Sequence, residues 1–310
     1  MFKRILVPLD GSELAERALP YARILAGRSG GRLLLLSICS SQTAEGRWLG
    51  AYLENKRRRM HSWGIPIEAH CIYRGNAADE ILNFSEINDI GLMIMCTHGG
   101  SGISRWYSGS ISSKVAQESY VPLLLIKSGG IHEILPLPRL SRVAVPLDGS
   151  AWAEATIPYA ADLVGGPDGE ITLLQINETI EPRSDTLGDP SAEWDTYCQT
   201  FATHTRERTL QYMDALQQRL RSQRLNIRFE VTSGKAAETI LRHTEADDVD
   251  AIVMSTHGQS GFSHWAFGSV ANKVVQGTSK PILIVRPKPT VLIPDTVATA
   301  RDRPVKGGAP

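Results

Sequence analysis

The chain is written twice, and this repeat constrains its fold more than any other feature. RILVPLDGS at Arg4–Ser12 returns as RVAVPLDGS at Arg142–Ser150, an offset of 138, and LPYARILAG from Leu19 returns as IPYAADLVG from Ile157 at the same offset. Farther on, GNAADEIL from Gly75 matches GKAAETIL from Gly234, and CTHGGSGISRWYSGS from Cys96 matches STHGQSGFSHWAFGS from Ser255, both at an offset of 159. The second copy therefore carries 21 extra residues (159 minus 138), legible around 178–192, where Pro182, Gly188 and Pro190 break any periodicity. A period this long marks a duplicated domain rather than a solenoid unit. Two domains also suit a chain of 310 residues. The sequence places copy one at 1–128, a connector at 129–140 stretched by Pro136 and Pro138, copy two at 141–287, and a disordered Pro- and Gly-bearing tail at 288–310.

Within each copy, short apolar runs without polar alternation are separated by helical patterns. In copy one the strands fall near Arg4–Pro8, Leu33–Ile38, Ile67–Tyr73, Leu92–Cys96 and Pro122–Lys127. The helices fall near Ser12–Ala26, Glu45–Met60, Ala77–Glu86 and Ser110–Ser119, and copy two has a long helical pattern near Glu193–Ser222. Strands apolar on both faces and separated by helices require a parallel sheet covered on two sides. The expected fold class is α/β, with two tandem doubly wound five-stranded parallel sheets of Rossmann-like form. Pro20 and Pro158 each fall inside a helical pattern, where a proline deletes a backbone hydrogen bond, so a kink or a late helix start is expected at both.

Composition then narrows the function classes. Lys plus Arg equals Asp plus Glu, 33 against 33, so no global field draws the chain to nucleic acid or to an anionic membrane. A ligand must be held by a local site. The apolar runs fall far short of the roughly 18–20 residues a membrane helix needs, and the stretch after Lys3 and Arg4 is too short for a signal peptide. The reading is a cytoplasmic protein with no membrane and no nucleic-acid partner. Cys39, Cys71, Cys96 and Cys198 sit in or beside apolar runs with no CxxC or zinc-like spacing, and read as reduced core thiols. The Lys56–Arg59 run reads as a solvated helix face, and Trp106 and Trp265 as core or interface aromatics.

An open parallel sheet takes ligands outside the carboxyl ends of its strands, where strand order reverses. Asp10 and Asp148 follow their strands immediately, which puts a carboxylate at that crevice; the plainer reading is an Asp that organises the turn and caps the next helix. The loop from Met95 to Gly109, repeated from Met254 to Gly268, carries glycines that let backbone approach a ligand and opens a helix whose first amides suit an anion. Walker A is absent, and so is a complete GxGxxG. Asp10, His98 and Ser110, with Asp148, His257 and Ser269 as their repeat, contain the residue types of a hydrolytic triad, but the GxSxG elbow is missing. His98 and His257 read better as loop-fixing residues, without the partner cluster a metal needs.

Two tandem domains of this pattern resemble the universal stress protein family, whose ATP-binding members carry GxxG, nine residues, then Gly-Ser or Gly-Thr. Gly99 is followed by nine residues and then Gly109 and Ser110; Gly258 is followed by nine and then Gly268 and Ser269. The opening VPLDGS and the closing VPLLLIK and KPILIVR are similar to the family as well. The resemblance implies an adenine nucleotide alpha hydrolase-like fold and a regulatory site for ATP or a related adenine nucleotide, with magnesium needed for any slow hydrolysis. It implies that Pro8, Asp10 and Ile38 line base and ribose in copy one, with Met95, Gly99, Gly109, Ser110 and Ile111 around ribose and phosphates. Pro146, Asp148, Ile176, Met254, Gly258, Gly268, Ser269 and Val270 would do so in copy two. It also implies an intrachain pseudo-dimer of the two domains through their last strands; a further homodimer of chains is left open. One departure is visible: the first glycine of GxxG is Cys96 in copy one and Ser255 in copy two, so a side chain there is expected to crowd the ligand or to force a different backbone angle; serine is the smaller, which makes copy two the better expected nucleotide site. The other reading is an interaction module of the same fold with one or both pockets empty.

Overall fold

The computed structural model describes residues 1–39, 44–97, 111–127, 138–166, 168–178, 192–221, 225–246, 249–256 and 267–286. The tail, most of the connector and nearly all of the insert lie outside them.

Copy one runs β1 (Arg4–Pro8), α1 (Glu13–Glu16), α2 (Leu19–Ser29), β2 (Arg32–Ile38), α3 (Ala44–Arg59), a 3-10 turn (Met60–Trp63), β3 (Ile67–Ile72), α4 (Ala77–Ile87), β4 (Leu92–Thr97), α5 (Ile111–Glu118) and β5 (Leu123–Lys127). Copy two runs β6 (Arg142–Leu147), α6 (Ala151–Glu154), α7 (Ile157–Val164), β7 (Glu170–Asn177), α8 (Ala192–Leu220), β8 (Asn226–Ser233), α9 (Ala236–Ala246), β9 (Ala251–Ser255), α10 (Ser269–Gly277) and β10 (Ile282–Val285).

The prolines act by position. Each expected first helix is split in two, and Pro20 and Pro158 sit in the first turn of α2 and α7, where the missing N–H has no helical partner to lose. Both copies therefore show the late start. Ser12 caps α1 by accepting from the Ala15 amide, and Ser150 caps α6 from Ala153 in the same way.

Each half is a parallel sheet in the order β3-β2-β1-β4-β5, or β8-β7-β6-β9-β10 in copy two. The order reverses between β1 and β4 and again between β6 and β9. The two halves do not stop at their edges: β5 and β10 pair antiparallel, giving one continuous ten-stranded sheet. Helices cover both faces, and strand alternation distributes side chains to two clusters. Ile5, Val7, Leu92, Ile94, Leu124, Val143, Val253 and Leu283 belong to one. Leu6, Met93, Met95, Leu125, Leu174, Ile252, Met254 and Ile282 belong to the other. Burial on both faces is the physical reason the inner strands show no polar alternation; the edge strands β3 and β8 are only partly buried and carry polar residues on one face.

The halves also meet through their helices. Arg28 at the end of α2 donates to the Leu163 carbonyl at 2.6 Å and the Leu140 carbonyl at 3.2 Å. The cation lies where the unpaired carbonyls of α7 end, a favourable place for positive charge. Across the β5–β10 seam, the Arg286 guanidinium lies 4.4 Å from the Tyr120 ring centroid.

Candidate functional site

The carboxyl ends of β2, β1 and β4 bring three of the expected residues together. Pro8 ends β1 opposite Leu36, Ile38 ends β2, and Met95 lies near the end of β4. Alternation turns all three toward the cluster that also holds Leu6, with Met95 buried in it and Ile38 half-buried against it. Pro146, Ile176 and Met254 repeat this arrangement at the ends of β6, β7 and β9, and Val270 of α10 packs against the same cluster. Both sets lie at the points where strand order reverses, the position a ligand takes on an open parallel sheet.

The carboxylates follow at once. Asp10 Oδ1 accepts from the Ser12 amide at 2.9 Å and from its hydroxyl at 2.6 Å. Asp148 Oδ1 accepts from the Ser150 amide at 3.0 Å and its hydroxyl at 2.6 Å. The turn-organising role is therefore real in both copies, and it occupies one oxygen of each carboxylate. The intervening Gly11 and Gly149 have φ of 87° and 78°, the left-handed region in which a side chain costs about 1–2 kcal/mol. At Gly11 a side chain has a second obstacle, since an added Cβ would stand 2.7 Å from the Trp48 ring.

The Gly-Ser start of the helix after β9 is described in copy two. Gly268 caps α10 with an extended backbone and no side-chain bond to the first-turn amides, while its own amide donates to the Thr256 carbonyl at 2.7 Å. Ser269 is exposed and Val270 half-buried beside it. A Cβ at Gly268 would come within 3.4 Å of the Thr256 carbonyl, so the backbone there runs close against the end of β9. In copy one, Ile111 opens α5 and is 46% exposed, whereas Gly99, Gly109 and Ser110 lie outside the described residues, as do Gly258, His98, His257, Trp106 and Trp265.

Cys96 does not turn toward Pro8, Ile38 and Met95. Its thiol faces the opposite side of the sheet, 3.9 Å from the Ala15 carbonyl of α1, and burial pushes it up to about 12. Crowding by this side chain on the Met95 face thus does not arise. Ser255 is buried at the end of β9, opposite Val285 of β10.

A repeated network beside the turn went unread in the sequence. Tyr52 of α3 donates to Glu16 Oε1 at 2.9 Å and Lys56 to Glu16 Oε2 at 2.5 Å. Lys56 is thus tied to α1 rather than solvated, whereas Arg57 and Arg58 pair with Glu54 on the outer side of α3. In copy two Arg219 of α8 reaches Glu154 of α6 at 2.5 Å, beside Tyr212. Burial, then the neighbouring carboxylate, raises both phenols above the usual tyrosine value. Glu16 and Glu154 are repeat equivalents, but their partners stand at different offsets, 160 for the tyrosines and 163 from Lys56 to Arg219, so the repeat marks the carboxylate and not its link to the covering helix. Among the described residues no group of three or more His, Cys, Asp or Glu could hold a metal ion, and no helix is long and apolar enough to cross a membrane.

The sequence profile described as the universal stress protein family matches residues 1–127 and again 140–286. The chain belongs to this family. A universal stress protein of Bacillus subtilis is 28% identical over 148 residues, covering 41% of this chain and all of that one. Another, of Thermus aquaticus, is 30% identical over 137 residues, covering 41% and 100%. The tandem arrangement is matched in three dimensions by the crystal structure of a universal stress protein from Archaeoglobus fulgidus, with a TM-score of 0.68 at 19% identity, covering 92% of this chain and 99% of that one. At that identity the likeness concerns the fold. Within this universal stress protein the two turns match closely in their hydrogen bonds, while the described Gly-Ser helix start belongs to copy two.

Proposed function

We propose that this universal stress protein binds an adenine nucleotide, ATP in the first instance, at the carboxyl ends of β6, β7 and β9 and at the equivalent place in copy one. The role is regulatory, in a cytoplasmic stress response, with the halves 1–128 and 141–287 acting as an intrachain pseudo-dimer. The observation that carries the reading is in copy two: Asp148 on its glycine turn, the apolar floor of Pro146, Ile176 and Met254, and first-turn amides of α10 without a side-chain cap. These residues fit a nucleotide. Asp148 would meet the base and ribose, and Gly258, Gly268, Ser269 and Val270 the ribose and phosphates. Copy one would use Pro8, Asp10, Ile38, Met95, Gly99, Gly109, Ser110 and Ile111. Magnesium would accompany the phosphates as their counter-charge.

The test is direct. Purified protein is denatured and the released nucleotide identified and counted against the chain. About one adenine nucleotide per chain supports one working site, and about two supports both. None released, with no calorimetric binding of added Mg-ATP, overturns the proposal in favour of an interaction module. One observation favours that alternative: Asp10 and Asp148 already have a structural task in their turns.

A further inference from the structure

Two thiols that play no part in the proposed nucleotide site lie against one another. Cys39 is buried directly after β2, Cys71 is half-buried on β3, and their Sγ atoms are 3.9 Å apart. The ladder explains the meeting. Ser37 stands opposite Cys71, and the Cys39 amide donates to the Ile72 carbonyl at 2.8 Å, so Cys39, two residues beyond Ser37, shares the face of Cys71. That face lies under α3, whose Leu53 belongs to the same cluster as Cys71. The Tyr73 hydroxyl completes the group. It sits close enough to α3 that a Cβ on Gly50 would be 3.0 Å from it, and its hydrogen bond with Cys71 raises the phenol.

The second copy shows that the fold does not require sulfur here. Leu33 pairs with Ile67, and Ile171 with Ile227, so Cys39, Cys71 and Tyr73 correspond to Asn177, Val231 and Ser233. At the same place Asn177 instead accepts from the Thr209 hydroxyl at 2.8 Å. Paired thiols are thus a property of copy one alone.

We propose that Cys39 and Cys71 are a redox-active dithiol that a hydroperoxide converts to a disulfide. Cys71 is the more exposed and reacts first. Its thiolate attacks the terminal peroxide oxygen, the O–O bond breaks, and the departing hydroxide, or alkoxide from an organic hydroperoxide, takes the proton the thiol released, leaving a sulfenic acid and one water or alcohol. Cys39 Sγ then attacks that sulfur; the S–O bond breaks, and the hydroxide leaves with the Cys39 proton as water. Two thiols lose two electrons, and the peroxide gains them. A disulfide sets its sulfurs about 2.05 Å apart, so they must approach by about 1.9 Å.

The full chain, fully reduced, is exposed to hydrogen peroxide, denatured, alkylated and mapped by mass spectrometry. The expected result is loss of two of the four thiols, a mass lower by two hydrogens, one linked pair of peptides containing Cys39 and Cys71, and reversal by dithiothreitol. In Cys39→Ser, Cys71 should stop at the sulfenic acid and be trapped by dimedone. Cys39 and Cys71 both remaining alkylatable while Cys198 oxidises, or Cys71 passing to sulfinic acid in the wild type with no link formed, would overturn the proposal.

Discussion

Leu124 of β5 stands directly opposite Leu283 of β10, and the two are each other's equivalents in the repeat, separated by its offset of 159. Around them the register is reciprocal: Leu125 pairs with Ile282 and Leu123 with Ile284, and because Leu125 is the equivalent of Ile284 and Leu123 of Ile282, the repeat exchanges these two pairs. This is the relation a two-fold axis imposes on a self-complementary contact. Both leucines are fully buried in a cluster that runs through both halves.

Leu124→Ala and Leu283→Ala should each destabilise the chain by about 2–5 kcal/mol. Because the side chains are direct cross-strand neighbours, the double variant should depart from additivity by about 0.5–3 kcal/mol. Urea denaturation of the wild type, both single variants and the double variant measures this. Additive losses would mean the two side chains share no cavity.

Ser269→Asp places a negative charge at the start of α10, where the proposed phosphates lie. Nucleotide affinity in copy two should fall roughly 5- to 30-fold, the equivalent of about 1–2 kcal/mol. The isolated helix end welcomes an acid, so thermal stability should hold or rise. Calorimetric titration with Mg-ATP beside a melting curve separates these effects, and unchanged affinity would remove Ser269 from the site.

Burial of Lys127 at the carboxyl end of β5 lowers its amine from 10.5 to about 8. The unfolded chain keeps that proton up to about 10.5, the folded chain only to about 8, so between these values the unfolded state binds more protons and stability rises with pH. In Lys127→Met this rise should be absent, so the variant's stability relative to wild type should fall as the pH is raised from 7 toward 10. Urea midpoints at several pH values test this, and a relative stability that climbs with pH would reverse the sign.

Gly11→Ala should cost about 1–3 kcal/mol, from left-handed backbone strain plus displacement of the Trp48 ring. Trp48→Ala in the same chain relieves only the second part. Comparing the Gly11→Ala penalty in the two backgrounds by denaturation divides backbone from packing, and an equal penalty in both would show that the ring moves freely.

The inner strands of copy one were legible to within about one residue because β1, β2, β4 and β5 are buried on both faces, and an apolar run has no other economical place in a chain this size; β3, at the sheet edge, is only half-buried and was placed by its spacing between helices. The proline-delayed helices were legible for a local reason, the missing amide of Pro20 and Pro158. What sequence did not show depends on registers between distant segments. The turn roles of Asp10 and Asp148 could be named as an alternative, yet only the hydrogen bonds to Ser12 and Ser150 show one oxygen of each engaged. Cys96 was expected to crowd a ligand because its position in GxxG says nothing of which face of β4 it occupies. Glu16 with Tyr52, and Cys39 with Cys71, meet across 36 and 32 residues, and no periodicity within a single element announces such pairs.

The β5–β10 seam has a consequence during synthesis. The leucine-rich edge of β5 is made early, and its partner strand is complete only after about another 160 residues, which at roughly 5–20 residues per second takes on the order of 8–30 s. Through that interval the nascent first half presents an open, apolar strand to every neighbouring polypeptide on the polysome. The chain's own translation speed, and whatever shields the ribosome exit, therefore govern how much of it reaches the closed sheet.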